Sequence, residues 1–263
     1  MTLLCGLVVL ACAGVVSDGA QQYATIGIVR DFVQEYPSAG TENSDSASAS
    51  LRENIGGVTR SAIYLHPGPL GEAKVTYRGV AIPAGATPSF LFFCTGIREG
   101  VPWNVPGPPN GVRFTVYING GRVFSEELMA SVWHPHALDL SVWSGKSVDI
   151  VLATDAIKGR SNHDWSVWGN PMLVTLTPVA SALTEHTTGI AFAQVVLPEP
   201  DTVTLTMGEK RESFALPGGS HWLPLEFGRL KRFEFVSASG GGEVKTVWVG
   251  ARDASAPGKQ GLR

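Results

Sequence analysis

The strongest constraint on the fold is a hairpin signal in the middle of the chain. Apolar and polar residues alternate strictly over Val112–Ile118, so the two sets of side chains would face opposite sides of a β-strand. Asn119-Gly120 follows directly, and this pair favours the tight turn that joins antiparallel strands. Val123-Phe124 opens the return strand. The sequence therefore predicts an antiparallel hairpin with one apolar face.

Similar strand signals recur at short spacing between residues 61 and 176. The 263-residue chain contains 31 Gly and 17 Pro but only 16% charged residues, which predicts many turns and no long charged helices. Regularly spaced short strands are typical of a sandwich or a jelly roll. We predict an all-β fold in which a jelly-roll or β-sandwich domain covers residues 21–177.

A second β-unit follows a predicted linker at Pro178–Thr188. Thr202–Met207 alternates threonine with apolar residues, as expected of a strand with one buried face. We predict a smaller β-sandwich-like domain over residues 189–253 and a tail over residues 254–263.

The N-terminus predicts export. Leu7–Val16 is almost wholly apolar and Ala11-Cys12-Ala13 resembles a cleavage site, although no Lys or Arg precedes Arg30. We predict a signal peptide over residues 1–20 and a secreted, periplasmic or cell-surface protein. One alternative is a lipoprotein signal with a lipid anchor at Cys12, and another is a buried apolar strand.

Charge and cysteine content exclude several classes of protein. A formal net charge of −3 provides no broad basic surface for nucleic acid. After the N-terminal segment, no stretch approaches the 18 consecutive apolar residues of a membrane span. Cys94 is the only cysteine outside the predicted signal, and its apolar neighbours predict a buried thiol.

Tryptophan and histidine side chains supply the candidate binding site. The flat C–H faces of sugars pack on aromatic rings, while their hydroxyls need imidazole, amide or carboxylate partners. We therefore predict a ligand-binding set that consists of Trp103, Trp133, His134, His136, His163, Asp164 and Trp168. The alternative is that these tryptophans fill the core, and we expect this for Trp165, which directly precedes a strand.

No metal or cofactor is predicted. His134 and His136 would share one strand face, but Pro135 between them argues against regular pairing, and spacing fixes no third ligand. A structural calcium near Asp155, Asn162 and Asp164 is the alternative to an ion-free loop.

Catalytic motifs are absent. The sequence contains no G-x-S-x-G, no H-E-x-x-H and no phosphate-binding loop. Glu126 and Glu127 are adjacent on a predicted strand, so they point to opposite faces and cannot by themselves form a glycosidase pair. We predict that the protein is not an enzyme.

Residues 61–176 resemble the jelly-roll carbohydrate-binding module found with glycoside hydrolase family 98 enzymes. The resemblance rests on the order of four segments, Val112–Gly120, Val123–Ser125, Leu138–Lys146 and His163–Trp165. It implies a jelly roll that binds a glycan as an accessory to catalytic domains. Trp168–Pro171 departs from the ending of that family. The C-terminal unit weakly resembles the terminal β-module of fungal α-1,3-glucanases, through Asp201–Thr206 and Phe214–Gly219.

These observations predict a non-catalytic carbohydrate-binding protein of the cell envelope or secreted fraction, with a glycan or polysaccharide as its partner. The alternatives are a structural β-sandwich that mediates protein–protein or domain–domain contacts, and an accessory part of a glycoside hydrolase system. Exposure of the tryptophans discriminates between glycan binding and a purely structural role.

Overall fold

The computed structural model of the protein describes residues 21–68, 71–85, 87–105, 109–157, 163–179, 189–229, 231 and 233–252. The predicted signal peptide, Cys12, the C-terminal tail, Asn162 and most of the predicted linker lie outside these residues. The described residues divide into two compact units. One contains residues 26–177, and the other contains residues 178–252 together with residues 21–25.

The larger unit is a sandwich of two antiparallel sheets. Residues 26–31 of the strand β1 (Gln21–Asp31) belong to this unit and lead into the short helix α1 (Phe32–Glu35). In the same unit, 3-10 turns lie at Tyr36–Ser38 and Ser141–Trp143. One sheet has the order β9 (Trp133–Asp139), β6 (Ser89–Ile97), β11 (Ser166–Pro178), β4 (Val58–Pro67) and β3 (Ser44–Ile55). The other has the order β2 (Gly40–Glu42), β5 (Ala73–Ala81), β10 (Ser147–Ala156), β7 (Val112–Ile118) and β8 (Gly121–Leu128).

The smaller unit also contains two sheets. One has the order β15 (Gly219–Phe227), β12 (Gly189–Leu197) and β17 (Glu243–Arg252), and the other has the order β14 (Lys210–Leu216), β13 (Asp201–Met207) and β16 (Phe233–Ser237). The alternation predicted for Thr202–Met207 is present, because Val203, Leu205 and Met207 enter the core of this unit. The predicted all-β sandwich is confirmed.

The predicted hairpin joins β7 to β8. Ile118 pairs with Gly121, so the loop consists of Asn119 and Gly120 alone. Both residues have positive φ, at 49° and 77°, which is the geometry that Asn-Gly adopts most easily. The apolar side chains of β7 enter the core of the larger unit with those of β5, β10, β6 and β11.

An irregularity in β11 determines the direction in which Trp168 points. Gly169-Asn170-Pro171 is a sequence that favours a turn, but β11 runs through it, with a register shift between Gly169 and Met172. Trp168 and Leu173 both face the core, although an unbroken strand would point residues five apart to opposite faces. The extra residue of a bulge restores the inward direction.

Trp168 was wrongly predicted to reach solvent. It is 0% exposed, and its ring lies 5.2 Å from Phe93 and 5.3 Å from Phe114, measured between centroids. It therefore belongs to the core and not to a surface site.

The segment Ser38–Ser48 is rich in small polar residues, yet it is largely strand. β2 pairs with β5, and β3 pairs with β4 from Ser44 onward. Small polar side chains are tolerated here because β3 lies at the end of its sheet.

Among the described residues, no helix has the length and apolarity needed to cross a membrane.

Truncating Trp168 should be strongly destabilising. We expect Trp168→Ala to lower the free energy of unfolding by about 3–5 kcal/mol, because it opens a cavity between the two sheets. Val142→Ala is the control, since Val142 is 70% exposed and should change stability by less than about 0.5 kcal/mol. Urea denaturation of both variants measures the difference. Equal midpoints would contradict the core position of Trp168.

Candidate functional site

The outer surface of the first sheet carries a tryptophan supported by glycines. Trp133 on β9 pairs with Gly96 on β6, and Gly96 pairs in turn with Val167 on β11. A Cβ placed on Gly96 or Gly169 would lie 2.7 Å from the Trp133 ring, so the ring rests directly on the two glycine backbones. The indole N–H donates to the Val58 carbonyl at 2.9 Å, which fixes the orientation of the half-buried ring. Trp133 packs here against Tyr64, which is only 8% exposed, and we call this surface the Trp133 face.

Arginine side chains border the Trp133 face. The Arg60 guanidinium lies 5.7 Å from the centroid of the Trp133 ring, and that of Arg98 lies 4.0 Å from the centroid of Tyr64. Glu53 accepts two hydrogen bonds from Arg98, at 2.9 and 2.8 Å. The face thus combines an aromatic surface with a bidentate ion pair, and sequence analysis identified none of Glu53, Arg60 and Arg98. Their spacing along the chain carried no signal, because the pairing of β3 with β4 brings Glu53 to Arg60, and Arg98 reaches Glu53 from the position directly after β6.

His134 and His136 lie on the opposite face of the same strand. Their side chains converge with Thr95 on Glu126 of β8, across the gap between the two sheets. His134 Nδ1 is 2.8 Å from one carboxylate oxygen, and His136 Nε2 is 3.0 Å from the other. Thr95 donates its hydroxyl to Glu126 at 2.6 Å. We call these four residues the edge cluster.

The position of β9 at the edge of its sheet explains how this strand accommodates Pro135. The proline was expected to disrupt pairing, but among the described strands β9 pairs only with β6, so it is an edge strand on which a missing N–H is tolerated. Regular alternation then directs Trp133 outward and both histidines inward. The predicted binding set is therefore divided between two surfaces.

Glu126 remains ionised in this environment. Burial by itself raises the pKa of a carboxyl, but hydrogen bonds from His134, His136 and Thr95 outweigh it and hold the pKa of Glu126 well below its usual range. Since an ionised carboxylate only accepts hydrogen bonds, each imidazole donates through the ring nitrogen that faces it. From the sequence, Glu126 was considered only as a possible member of a glycosidase pair, and its contact with the two histidines was not predicted.

Glu126→Gln should destabilise the larger unit, and Glu127→Gln is its matched control. We expect the first to cost about 1–3 kcal/mol at pH 7, because it removes the charge that both imidazoles contact. Glu127, 47% exposed and paired with Arg113, should cost about 0–1 kcal/mol. A depressed carboxyl pKa stabilises the fold above the unfolded value of about 4.3 and ceases to do so as pH falls toward the folded value.

Urea denaturation at pH 7 and at pH 3 measures both effects. The gap between wild type and Glu126→Gln should be full at pH 7 and smaller at pH 3. Equal losses in the two variants would contradict the bonding described for the edge cluster.

Asp164 is a buried carboxyl without a hydrogen-bond partner in the described structure. It is 1% exposed, and neither carboxylate oxygen is bonded. Burial, followed by the negative charge of Asp155, raises the pKa of Asp164 to about 7. A side chain so enclosed cannot contact a ligand at the surface, so Asp164 does not fit the predicted binding role.

The calcium alternative involves the same region. Asp155 lies 3.6 Å from Arg113, measured between Oδ2 and Nη1, and Asn162 falls outside the described residues. Within the described part of the chain, no three His, Cys, Asp or Glu side chains are arranged to hold a metal ion.

Asp164→Asn should remove a pH-dependent loss of stability. A carboxyl whose pKa is higher in the folded than in the unfolded state destabilises the fold once pH exceeds the unfolded value of about 4, and the loss is complete above about 7. We expect the stability of wild type to fall by a few kcal/mol relative to Asp164→Asn between pH 4.5 and pH 8. Denaturant titration across this range is the measurement. Parallel profiles for the two proteins would refute the raised pKa.

The remaining predicted residues lie apart from one another. Trp103 is half-buried against the core of the larger unit and donates its indole N–H to Ser131. His163 is exposed, has a φ of 65°, and lies 5.4 Å from the half-buried ring of Trp165, measured between centroids. Cys94 is buried, as its apolar neighbours predicted.

Comparison with known proteins finds limited similarity. No family model and no curated protein matches the sequence. The CBM51-2 and INT domains of ZmpB from Clostridium perfringens match at 16% identity and a TM-score of 0.35, over 58% of this chain and 30% of that one. The same ZmpB domains have also been solved in complex with GlcNAc.

The tandem CBM51 modules of Sp3GH98, a family 98 glycoside hydrolase from Streptococcus pneumoniae, match at 10% identity and a TM-score of 0.33. That match covers 92% of this chain and 96% of the other. Likeness of this size does not establish function.

Proposed function

We propose that this protein binds a glycan without cleaving it, and that the Trp133 face is the binding surface. The observation that carries the proposal is the Trp133 ring, which is held against Gly96 and Gly169 and bordered by Arg60. A ring fixed in this way loses little conformational entropy on binding, so more of the stacking energy is retained as affinity.

The chemistry of the face suits a sugar. One side of the indole ring rests on the sheet, and its other side, which is partly exposed, can pack on the C–H face of a pyranose. Arg98 and Glu53 provide donors and acceptors for hydroxyls and are already oriented by their mutual bonds. A shallow surface buries little of the ligand, so we expect a dissociation constant on the order of micromolar to millimolar.

The carboxylates support binding without catalysis. Glu126 is engaged by three donors, and Asp164 is enclosed. A glycosidase would need two carboxyl groups that flank one accessible bond. Glu53 is engaged by Arg98, which suits a hydroxyl acceptor better than a general acid.

Where the protein acts follows from its N-terminal segment. We propose a secreted, periplasmic or cell-surface location, with a lipid anchor at Cys12 as the variant of the same proposal. Intact mass of the protein from its native host distinguishes a cleaved chain, an acylated chain and a retained Met1.

A protein partner is the second candidate for the Trp133 face. Val58, whose carbonyl accepts a hydrogen bond from the Trp133 indole, is 44% exposed. Val132, which directly precedes Trp133 in the sequence, is 39% exposed. Exposed apolar residues around an aromatic side chain are also typical of protein interfaces. A glycan should need Arg98 and Glu53, whereas a protein contact should depend on the valines.

The test is calorimetric titration with galactose-, glucose- and mannose-type oligosaccharides. We expect Trp133→Ala to abolish binding and Trp133→Phe to weaken it several-fold while retaining the fold. Trp103→Phe is the matched control, because Trp103 is also half-buried but lies on no part of the Trp133 face, and it should bind as wild type does.

Each alternative outcome has a distinct meaning. Binding that survives in a folded Trp133→Ala variant would exclude this face. Reducing-end release that is lost on changing one carboxylate would refute the binding-only proposal. Loss of oligomerisation or of protein capture in Val58→Ser, without any glycan binding, would favour the protein partner.

A further inference from the structure

A second, separate site lies beside β5 in the larger unit. Arg30, Ser38, Gly40, Thr76, Tyr77 and Arg78 surround a cavity of about 180 Å³. Since liquid water occupies about 30 Å³ per molecule, this is room for about six waters, and it falls below the roughly 300 Å³ at which pockets for larger ligands begin. The cavity therefore suits one small charged group or a single sugar unit, and not an oligosaccharide.

Among the described residues, the lining of this cavity is polar and carries two guanidinium groups but no carboxylate. Its shape depends on the chain between β1 and β5. Arg30 is the second-last residue of β1, the 3-10 turn places Ser38, and pairing of Gly40 with Thr76 joins β2 to β5. Thr76 is 9% exposed, and the Tyr77 hydroxyl is engaged by the Phe32 carbonyl, so the floor of the cavity is fixed.

Both arginines retain donors. Arg30 uses Nε and Nη2 to bind Glu35, and the Nη1 group of its five-donor guanidinium takes no part in that pair. Arg78 is 76% exposed, and the ion pair that it makes with Asp149 in the described structure is long at 3.7 Å. An exposed pair of this length contributes little, so Arg78 can turn toward a ligand at low cost.

We propose that this cavity binds a small oxyanion, such as the carboxylate of an acidic sugar or a free sulfate or phosphate. A carboxylate or sulfate accepts the parallel N–H groups of a guanidinium, and Thr76 can add a hydroxyl donor. The net charge of −3 provides no general attraction for anions, so binding would depend on these local groups. The proposal does not depend on the Trp133 face.

The experiment is titration of the full chain with glucuronate, sulfate and phosphate at low ionic strength. Calorimetry or amide chemical shifts measure the binding. Glucose is the uncharged counterpart of glucuronate. We expect millimolar affinity for at least one anion and none for glucose, with a loss of roughly tenfold or more in Arg78→Gln. Glucuronate binding would identify an acidic sugar as the source of the oxyanion, and sulfate or phosphate binding alone would identify the free ion.

Arg122→Gln is the matched control. Arg122 is exposed on β8, three strands away from β5 in the same sheet and so about 14 Å distant. It should leave anion binding unchanged, as should Trp133→Ala, which separates this result from the glycan proposal. Equal weakening by Arg78→Gln and Arg122→Gln would reveal only a general charge effect and overturn the proposal. Absence of binding by every anion would overturn it as well.

Discussion

The packing of two sheets around Trp168 is the constraint on which the rest of the larger unit depends. Its ring contacts Phe93 from its own sheet and Phe114 from the facing sheet, so it joins the two layers directly. The bulge in β11 allows Trp168 and Leu173 to enter the same core, and Val167 then faces the opposite side. The direction of one tryptophan thus determines which neighbouring residues remain available at the outer surface.

That outer surface carries a large aromatic ring because β6 and β11 have glycines at the positions over which the Trp133 side chain of β9 lies. Gly96 and Gly169 leave the room that the Trp133 ring occupies, and any Cβ there would displace it. The aromatic surface is therefore a property of three strands together. Its charged border also depends on the order of the strands, because Glu53 lies on β3 and Arg98 directly follows β6, and the two side chains meet on one side.

The carboxyl groups of Glu126 and Asp164 illustrate how burial alone does not determine ionisation. Both are shielded from water, but three donors surround Glu126, whereas Asp164 has no bonded partner in the described structure and faces the charge of Asp155. Their pKa values move in opposite directions for this reason. One carboxylate helps to join the sheets at their edge, and the other weakens the fold as pH rises.

The sequence by itself determined the all-β class, the Asn119-Gly120 hairpin and the strand alternation of Val112–Ile118 and Thr202–Met207, because these depend on local propensity and period. It could also separate Trp133 from His134, since neighbours on a strand face opposite ways. Only the tertiary structure decided that Pro135 lies on an edge strand, that Trp168 is buried, and that Glu126 meets two histidines. Each of these depends on strand order or on a bulge, and neither is encoded in the spacing of residues along one strand.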